Sequence, residues 1–301
     1  MKFDIKQTLN SSLRSSILIL KLIVPLYILA DILLYLGWLD YISFIFEPIT
    51  TILNLPSETA LALAAGILLN LYAAIAFAAP LGLSPYEWTI LGVFLGICHS
   101  MLIESSIMKK LGISYKYSFL LRGSVAFLAV IPLYFMPKDW FSTTAILSSN
   151  QREVYVSFAD MLQNSAYGSL ILSVKVIILI VTIIFLMDLI KSSKIVQEYQ
   201  KKVSTSFSIV VGLVLGITYG AGILINEAKS GSLSKKDIFF IATFLMICHS
   251  VIEDTLLFVI FGANYWIIIF IRLIFAIIFS YLLIKIYYKE TKGKIETKGK
   301  N

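Results

Sequence analysis

Charge is what this chain has least of. Asp, Glu, Lys and Arg make up 14% of its 301 residues and hydrophobic residues 58%, with a mean hydropathy of +0.88; soluble domains carry about 25% charged residues. A soluble globular fold is thereby excluded. The short alternating segments of a membrane β-barrel are missing as well, so helices must do the spanning. No G-x-x-x-x-G-K-[ST] loop occurs, which excludes a P-loop nucleotide site, and there is no H-E-x-x-H metal signature. Cysteine is limited to Cys98 and Cys248, both inside apolar runs, so neither a disulfide framework nor a redox compartment can be read from them. Histidine is equally scarce, with His99 and His249 as the whole complement.

What is abundant is apolar length. Runs at 16–38, 57–80, 85–110, 115–136, 168–190, 205–226, 235–261 and 264–287 match the roughly 20 residues that carry a helix across a ~30 Å hydrocarbon layer. The reading is an all-α polytopic bundle of about eight spans, one membrane domain over 1–301 in contact with the lipid bilayer. The first run carries Lys21 and Asp31 and precedes no small-x-small cleavage site, so it reads as a span rather than a secretory signal. Pro25 is expected to kink it. "YISFIFEPITTILNL" (41–55) adds a re-entrant or broken segment. The net charge of +7 lies in short flanks and in the basic tail 288–301, where it fixes topology or meets anionic lipid; no nucleic acid is implied. With eight spans, Lys and Arg favour the side of both termini, which makes those termini cytoplasmic in a cell-membrane protein. No cofactor is expected, and a homo-oligomer is compatible with this architecture.

The sequence also matches itself. A shift of 150 residues lays Ser84 on Ser234, Cys98 on Cys248, His99 on His249, Ser100 on Ser250, Gly112 on Gly262, Arg122 on Arg272 and Glu104 on Asp254. Further upstream a shift of 147 pairs Tyr72 with Tyr219 and Ala74 with Ala221. Two homologous repeats follow, 16–136 and 168–287, parallel with four spans each or inverted if 41–55 supplies another crossing. "SPYE" and "SKKD" open the third helix of each repeat as capping boxes, so "ICHSMLIES" and "ICHSVIEDT" fall halfway down transmembrane helices.

A charge at bilayer depth costs roughly 2.5–3.5 kcal/mol on insertion scales, so deep polar groups face one another or a water-filled cavity. The deep set here is His99, Glu104, Arg122, His249, Glu253, Asp254 and Arg272, with Asp31 and Lys175 as additions and Ser100 and Ser250 beside the histidines. On a continuous helix, Ser100 with Glu104, Ser250 with Asp254, and His249 with Glu253 share a face. Arg122 and Arg272 read as internal fasteners for Glu104 and Asp254. The histidines read as contacts for a ligand, proton or substrate, because an imidazole at these depths is cheaply replaced by an apolar residue. For a metal the candidates are His99, His249 and Glu253. The thiols read as small packing residues. Gly66, Gly212 and Gly216 read as close-packing positions, and Tyr72 as packing or as a substrate contact.

Two apolar helices carrying "CHSMLIES" and "CHSVIEDT", each followed by a glycine and an arginine-bearing helix, resemble the nucleoside recognition, or Gate, domain. That domain is shared by concentrative nucleoside transporters, the membrane part of the ferrous iron transport GTPase, and spore maturation proteins A and B. The resemblance implies a polytopic membrane protein with a transport or gating role. The chain lacks the GTPase loop and the full polar set used for base and ribose, so only the His, Ser and acid positions carry over. The leading expectation is a permease for a small polar solute or ion, binding at His99, Ser100, Glu104, His249, Ser250, Glu253 and Asp254. The alternatives are a non-transporting membrane scaffold or regulator and a divalent-metal transport or binding protein. An enzyme is not expected, since no activated nucleophile is in place.

Overall fold

The structure is a computed structural model that describes residues 4–38, 41, 44–141, 155–192, 209–214, 216, 224–225 and 233–298. Among them there is no strand. The helices run α1 (Ile5–Tyr35), α2 (Glu47–Ile52), α3 (Ala60–Leu68), α4 (Leu71–Ala78), α5 (Pro85–Cys98), α6 (Met101–Lys110), α7 (Tyr115–Val130), α8 (Phe158–Ser192), α9 (Lys235–Ile247), α10 (Val251–Val259) and α11 (Tyr265–Lys298), with short 3-10 turns between some of them. Among the described residues six stretches are long and apolar enough to cross a membrane: Ile5–Tyr35, Pro85–Lys110, Tyr115–Phe135, Phe158–Ser192, Lys235–Val259 and Tyr265–Ile286.

The difference from eight lies in two apolar runs. The run 205–226 falls largely outside the described residues. The run 57–80 does not cross. A Cβ placed on Gly66 of α3 would stand 3.1 Å from the Cβ of Ala74 on α4. Eight residues of continuous helix would set those positions about 12 Å apart. The two helices therefore lie side by side as a hairpin that turns at Leu69 and Asn70. Asn70 is fully extended, and its side chain accepts from the Ala73 N–H to start α4. With nine and eight residues, each arm is about 12–14 Å long, half of what a crossing needs. Among its described residues, segment 41–55 holds the short helix α2, and Thr50, Leu53 and Leu55 are buried. Helix α1 runs through Pro25 without interruption.

Burial sorts the six stretches into centre and rim. In their most apolar windows, Pro85–Lys110 is 78% buried and Lys235–Val259 72%, against 22% for Ile5–Tyr35 and 28% for Phe158–Ser192. The two motif-bearing stretches are thus the axis of the bundle. The others turn Leu13, Ile17, Leu170, Ile178, Phe270 and Ile277 outward, and this apolar rim contacts the lipid bilayer. Glycine permits the tight centre: a Cβ on Gly92 would meet Ile268 Cδ1 at 2.6 Å, and one on Gly96 would meet the Arg272 side chain at 3.0 Å. Trp88 stacks on Phe261 with ring centroids 4.2 Å apart, tying α5 to the end of α10.

Both axial stretches begin as their sequences predict. Ser84 and Ser234 each accept from the N–H three residues on, and Glu87 and Asp237 each reach back to the cap N–H. The Ser84→Ala substitution is expected to cost about 1 kcal/mol, visible as a fall of roughly 2–4 °C in melting temperature. An unchanged melting temperature would mean that water replaces the cap.

On the rim, α1 and α8 run antiparallel, with Thr8 donating to Asp188 at 2.8 Å near one end and Ser165 donating to Asp31 near the other. Tyr155 also donates to Asp31, at 3.3 Å. Asp31 therefore belongs to the α1–α8 seam rather than to the central polar set, and Lys175 is exposed. Their expected place among the deep central residues is corrected on both counts.

Candidate functional site at two helix breaks

Neither motif sits in a continuous helix. In the first, α5 stops at Cys98 and α6 starts at Met101, with His99 extended (φ −70, ψ 160) and Ser100 left-handed (φ 48, ψ 36). In the second, α9 stops at Ile247 and α10 starts at Val251, with Cys248 extended (φ −139, ψ 95) and Ser250 left-handed (φ 44, ψ 35). A left-handed residue other than glycine costs about 1–2 kcal/mol. Each break also leaves buried backbone groups that must find partners.

The partners come from the hairpin and from the two arginines. Ser100 donates its N–H to Gly66 O at 2.9 Å and its hydroxyl to Leu69 O at 2.9 Å. Ser250 N–H meets Gly212 O at 3.4 Å. Gly216 has φ +85, and a Cβ there would fall 2.4 Å from Ser250 Oγ, so no larger residue fits so close an approach. Arg122 donates from Nε to Ile97 O at 2.7 Å and from Nη2 to His99 O at 2.6 Å. Arg272 donates from Nη2 to His249 O at 2.8 Å. Both arginines are fully buried. Each also takes one acid: Arg122 lies 2.8 Å from Glu104 Oε2, and Arg272 3.2 Å from Asp254 Oδ2. The arginines thus meet the open ends of helices as well as carboxylates.

The two breaks meet. The imidazoles of His99 and His249 have ring centroids 5.3 Å apart. Their Nε2 atoms lie 3.0 and 3.2 Å from one oxygen, Oε1 of Glu104. Their Nδ1 atoms lie 2.8 Å from Leu95 O and 2.6 Å from Leu245 O, the carbonyls one helical turn back. Beside them opens a cavity of about 370 Å³, lined by Asn70, Leu71 and Tyr72 of the hairpin, by Gly216, and by His99, Ser100, Glu104, His249, Ser250, Glu253, Asp254 and Leu257. All seven residues predicted to bind a solute line this one cavity.

Its electrostatics follow from the helix ends. Glu104 lies in the first turn of α6, and Glu253 and Asp254 in the first turn of α10, where the positive end of a helix dipole favours carboxylates. Arg122 and Arg272 neutralise Glu104 and Asp254. Glu253 accepts from the Tyr72 hydroxyl at 3.2 Å and has no Lys or Arg within ion-pair distance among the described residues. The cavity therefore carries an excess carboxylate and suits a cation or a hydrogen-bond donor.

The pairings differ from those of a continuous helix. His249 and Glu253 are four apart, yet the left-handed Ser250 lies between them and re-aims α10. His249 turns to Glu104 of the other motif, while Glu253 turns to Tyr72. The acid beside both imidazoles is thus Glu104 rather than Glu253. Sequence reasoning also passed over Asn70 and Leu69, whose signal was a polar residue at the centre of an otherwise alanine-rich run. Cys98 and Cys248 are free thiols, 2% and 0% exposed, and line no part of the cavity.

Apolar crossing helices around a buried polar cavity define a polytopic membrane protein. The chain is 31% identical over 272 residues to the uncharacterized membrane protein YvoD of Bacillus subtilis (strain 168), a match that covers 86% of this chain and 87% of that protein. It belongs to that membrane-protein family. No family model and no solved structure matches the chain.

Proposed function

We propose that the chain is a permease of the nucleoside recognition, or Gate, kind that carries a small polar solute or ion through the cavity between its two helix breaks. The observation that carries this reading is the meeting of two interrupted axial helices and a hairpin tip around one buried polar cavity. Unwound helices at mid-depth with half-helix ends aimed at the ligand are a recurrent design in secondary transporters. Among the described residues of the cavity none is an activated nucleophile, which supports a carrier over an enzyme.

We read the chain as two repeats of one unit. The recurrence of the same contacts supports this: a left-handed serine on a glycine carbonyl, Gly66 against Leu95 as Gly212 against Leu245, and an arginine on each histidine carbonyl. The first unit contributes three crossings and one hairpin, and an odd number of crossings in a repeated unit inverts the second copy relative to the first. This topology also sharpens the charge asymmetry. When each Lys and Arg is assigned to the crossing it flanks in sequence, Lys138 and Arg152 fall on one side. Lys21, Arg122, Lys175 and Arg272 lie within crossings, and the rest of the 25 fall on the side of both termini. That side is cytoplasmic by the positive-inside rule.

The test is flux in liposomes holding the purified full-length protein, offered a panel of small cations, organic acids, amines and nucleosides. At least one is expected to show saturable uptake that falls at least tenfold in His99→Gln and His249→Gln, while Lys109→Ala stays at the wild-type rate. If those two histidine variants fold and support every cellular role of the wild type, the permease reading is wrong and a scaffold takes its place.

A further inference from the structure

The proton inventory of the two histidines is unbalanced. A carbonyl oxygen only accepts, so Nδ1 of His99 against Leu95 O and Nδ1 of His249 against Leu245 O must each carry a proton. A neutral imidazole has one proton to give. Both Nε2 atoms are then lone pairs, and both point at Glu104 Oε1, which is itself an acceptor, at 3.0 and 3.2 Å. With both imidazoles neutral and Glu104 ionised, three electron-pair donors converge on one point, and either an extra proton or a cation must sit among them.

We propose that this point is a binding site for a divalent transition-metal cation of the Zn²⁺ type, held by His99 Nε2, His249 Nε2 and Glu104 Oε1, with its fourth position open to the cavity. The dimensions fit. In a tetrahedral site with bonds of about 2.0–2.1 Å, neighbouring donor atoms stand about 3.4 Å apart. The two histidine-to-glutamate edges are 3.0 and 3.2 Å, and all three donor atoms lie within 4.8 Å of one another. The surroundings fit too. A metal-ligating histidine almost always passes its other N–H to a carbonyl or carboxylate, which fixes the tautomer and the ring, and both histidines here do so. Glu104 is oriented in the same way, since its second oxygen is occupied by Arg122 at 2.8 Å and leaves Oε1 for a single bond.

The donor set decides the class of ion. Two imidazole nitrogens and one carboxylate oxygen suit a borderline cation. Mg²⁺ and Ca²⁺ demand six or more oxygens, and a copper(I) site would call on the thiols of Cys98 and Cys248, which do not line the cavity. The ion would join residues from the two halves of the chain, bridging one helix break to the other. It is a site in its own right and does not depend on the permease reading.

The experiment uses the full-length protein in detergent, stripped with a chelator and then titrated with Zn²⁺ or Co²⁺. The expected result is one ion per chain by elemental analysis, a higher melting temperature, and a Co²⁺ absorption spectrum of tetrahedral nitrogen–oxygen type. Affinity should fall at least tenfold in His99→Gln, His249→Gln and Glu104→Gln, each checked for folding by its elution profile, and stay unchanged in Lys109→Ala. Mg²⁺ and Ca²⁺ should not compete. Failure of the wild type to bind Zn²⁺ or Co²⁺, or binding that survives in the histidine variants, overturns the proposal. Either failure leaves the permease reading standing if another solute still moves through the liposomes, so the two can fail separately.

Discussion

Substituting Arg122 by Met is expected to lower the melting temperature of the detergent-solubilised protein by on the order of 10 °C. Removing one partner of a buried charge pair typically costs about 3–5 kcal/mol, because the other charge is left unpaired in a medium that cannot solvate it. Arg122 has more to lose than an ion pair. Its guanidinium also satisfies the carbonyls of Ile97 and His99, which the helix break leaves without a partner along the chain. Arg122→Lys should recover only part of the loss, since a single ammonium cannot reproduce a fork that meets Ile97, His99 and Glu104 at once. The double variant Arg122→Met with Glu104→Leu should melt higher than Arg122→Met alone, because it removes the stranded carboxylate, yet it should have no transport activity. A double variant no more stable than the single one would show that the carbonyls, not the charge, carry the cost.

The second large effect is expected at Gly66. Replacing it by Ile should lower the melting temperature by about 5 °C and abolish flux. The first β-carbon would stand 2.8 and 2.9 Å from the methyls of Leu95 and 3.1 Å from Ala74, so a branched side chain must push α3 off α5 or off α4. Either movement withdraws the Gly66 carbonyl from Ser100 N–H and the Leu69 carbonyl from Ser100 Oγ, and the left-handed serine loses both of its anchors. Gly66→Ala meets only the flexible end of Leu95 and one methyl, and should keep most activity. Equal behaviour of Gly66→Ala and Gly66→Ile would show that the hairpin is not seated on α5 in the membrane.

Much of this was legible in the residues. Apolar length gave the helices, and the capping boxes at Ser84 and Ser234 gave their starts. The matched histidines pointed to one shared site, and the cavity they line contains every residue singled out for it. What could not be read was where a helix stops without proline or glycine to stop it. Ser100 and Ser250 are left-handed where a glycine carbonyl takes each N–H and an arginine takes the carbonyl of the histidine before it, and those partners lie far away in sequence. Counting four residues from His249 to Glu253 assumed a continuous helix, so it chose the wrong acid. The same blindness turned a hairpin into a span, since Asn70 breaks an alanine-rich run of crossing length only by capping α4.

The burial of Cys98 and Cys248 has a practical consequence. A maleimide reagent finds no native thiol to label on the folded protein, so the natural chain serves as its own blank. A single cysteine introduced at the exposed Leu69 would be the one reactive group in the molecule. Labelling sealed, oriented vesicles from each face would then tell which compartment the hairpin tip opens to, and repeating it while a transported solute is present would tell whether that opening changes sides.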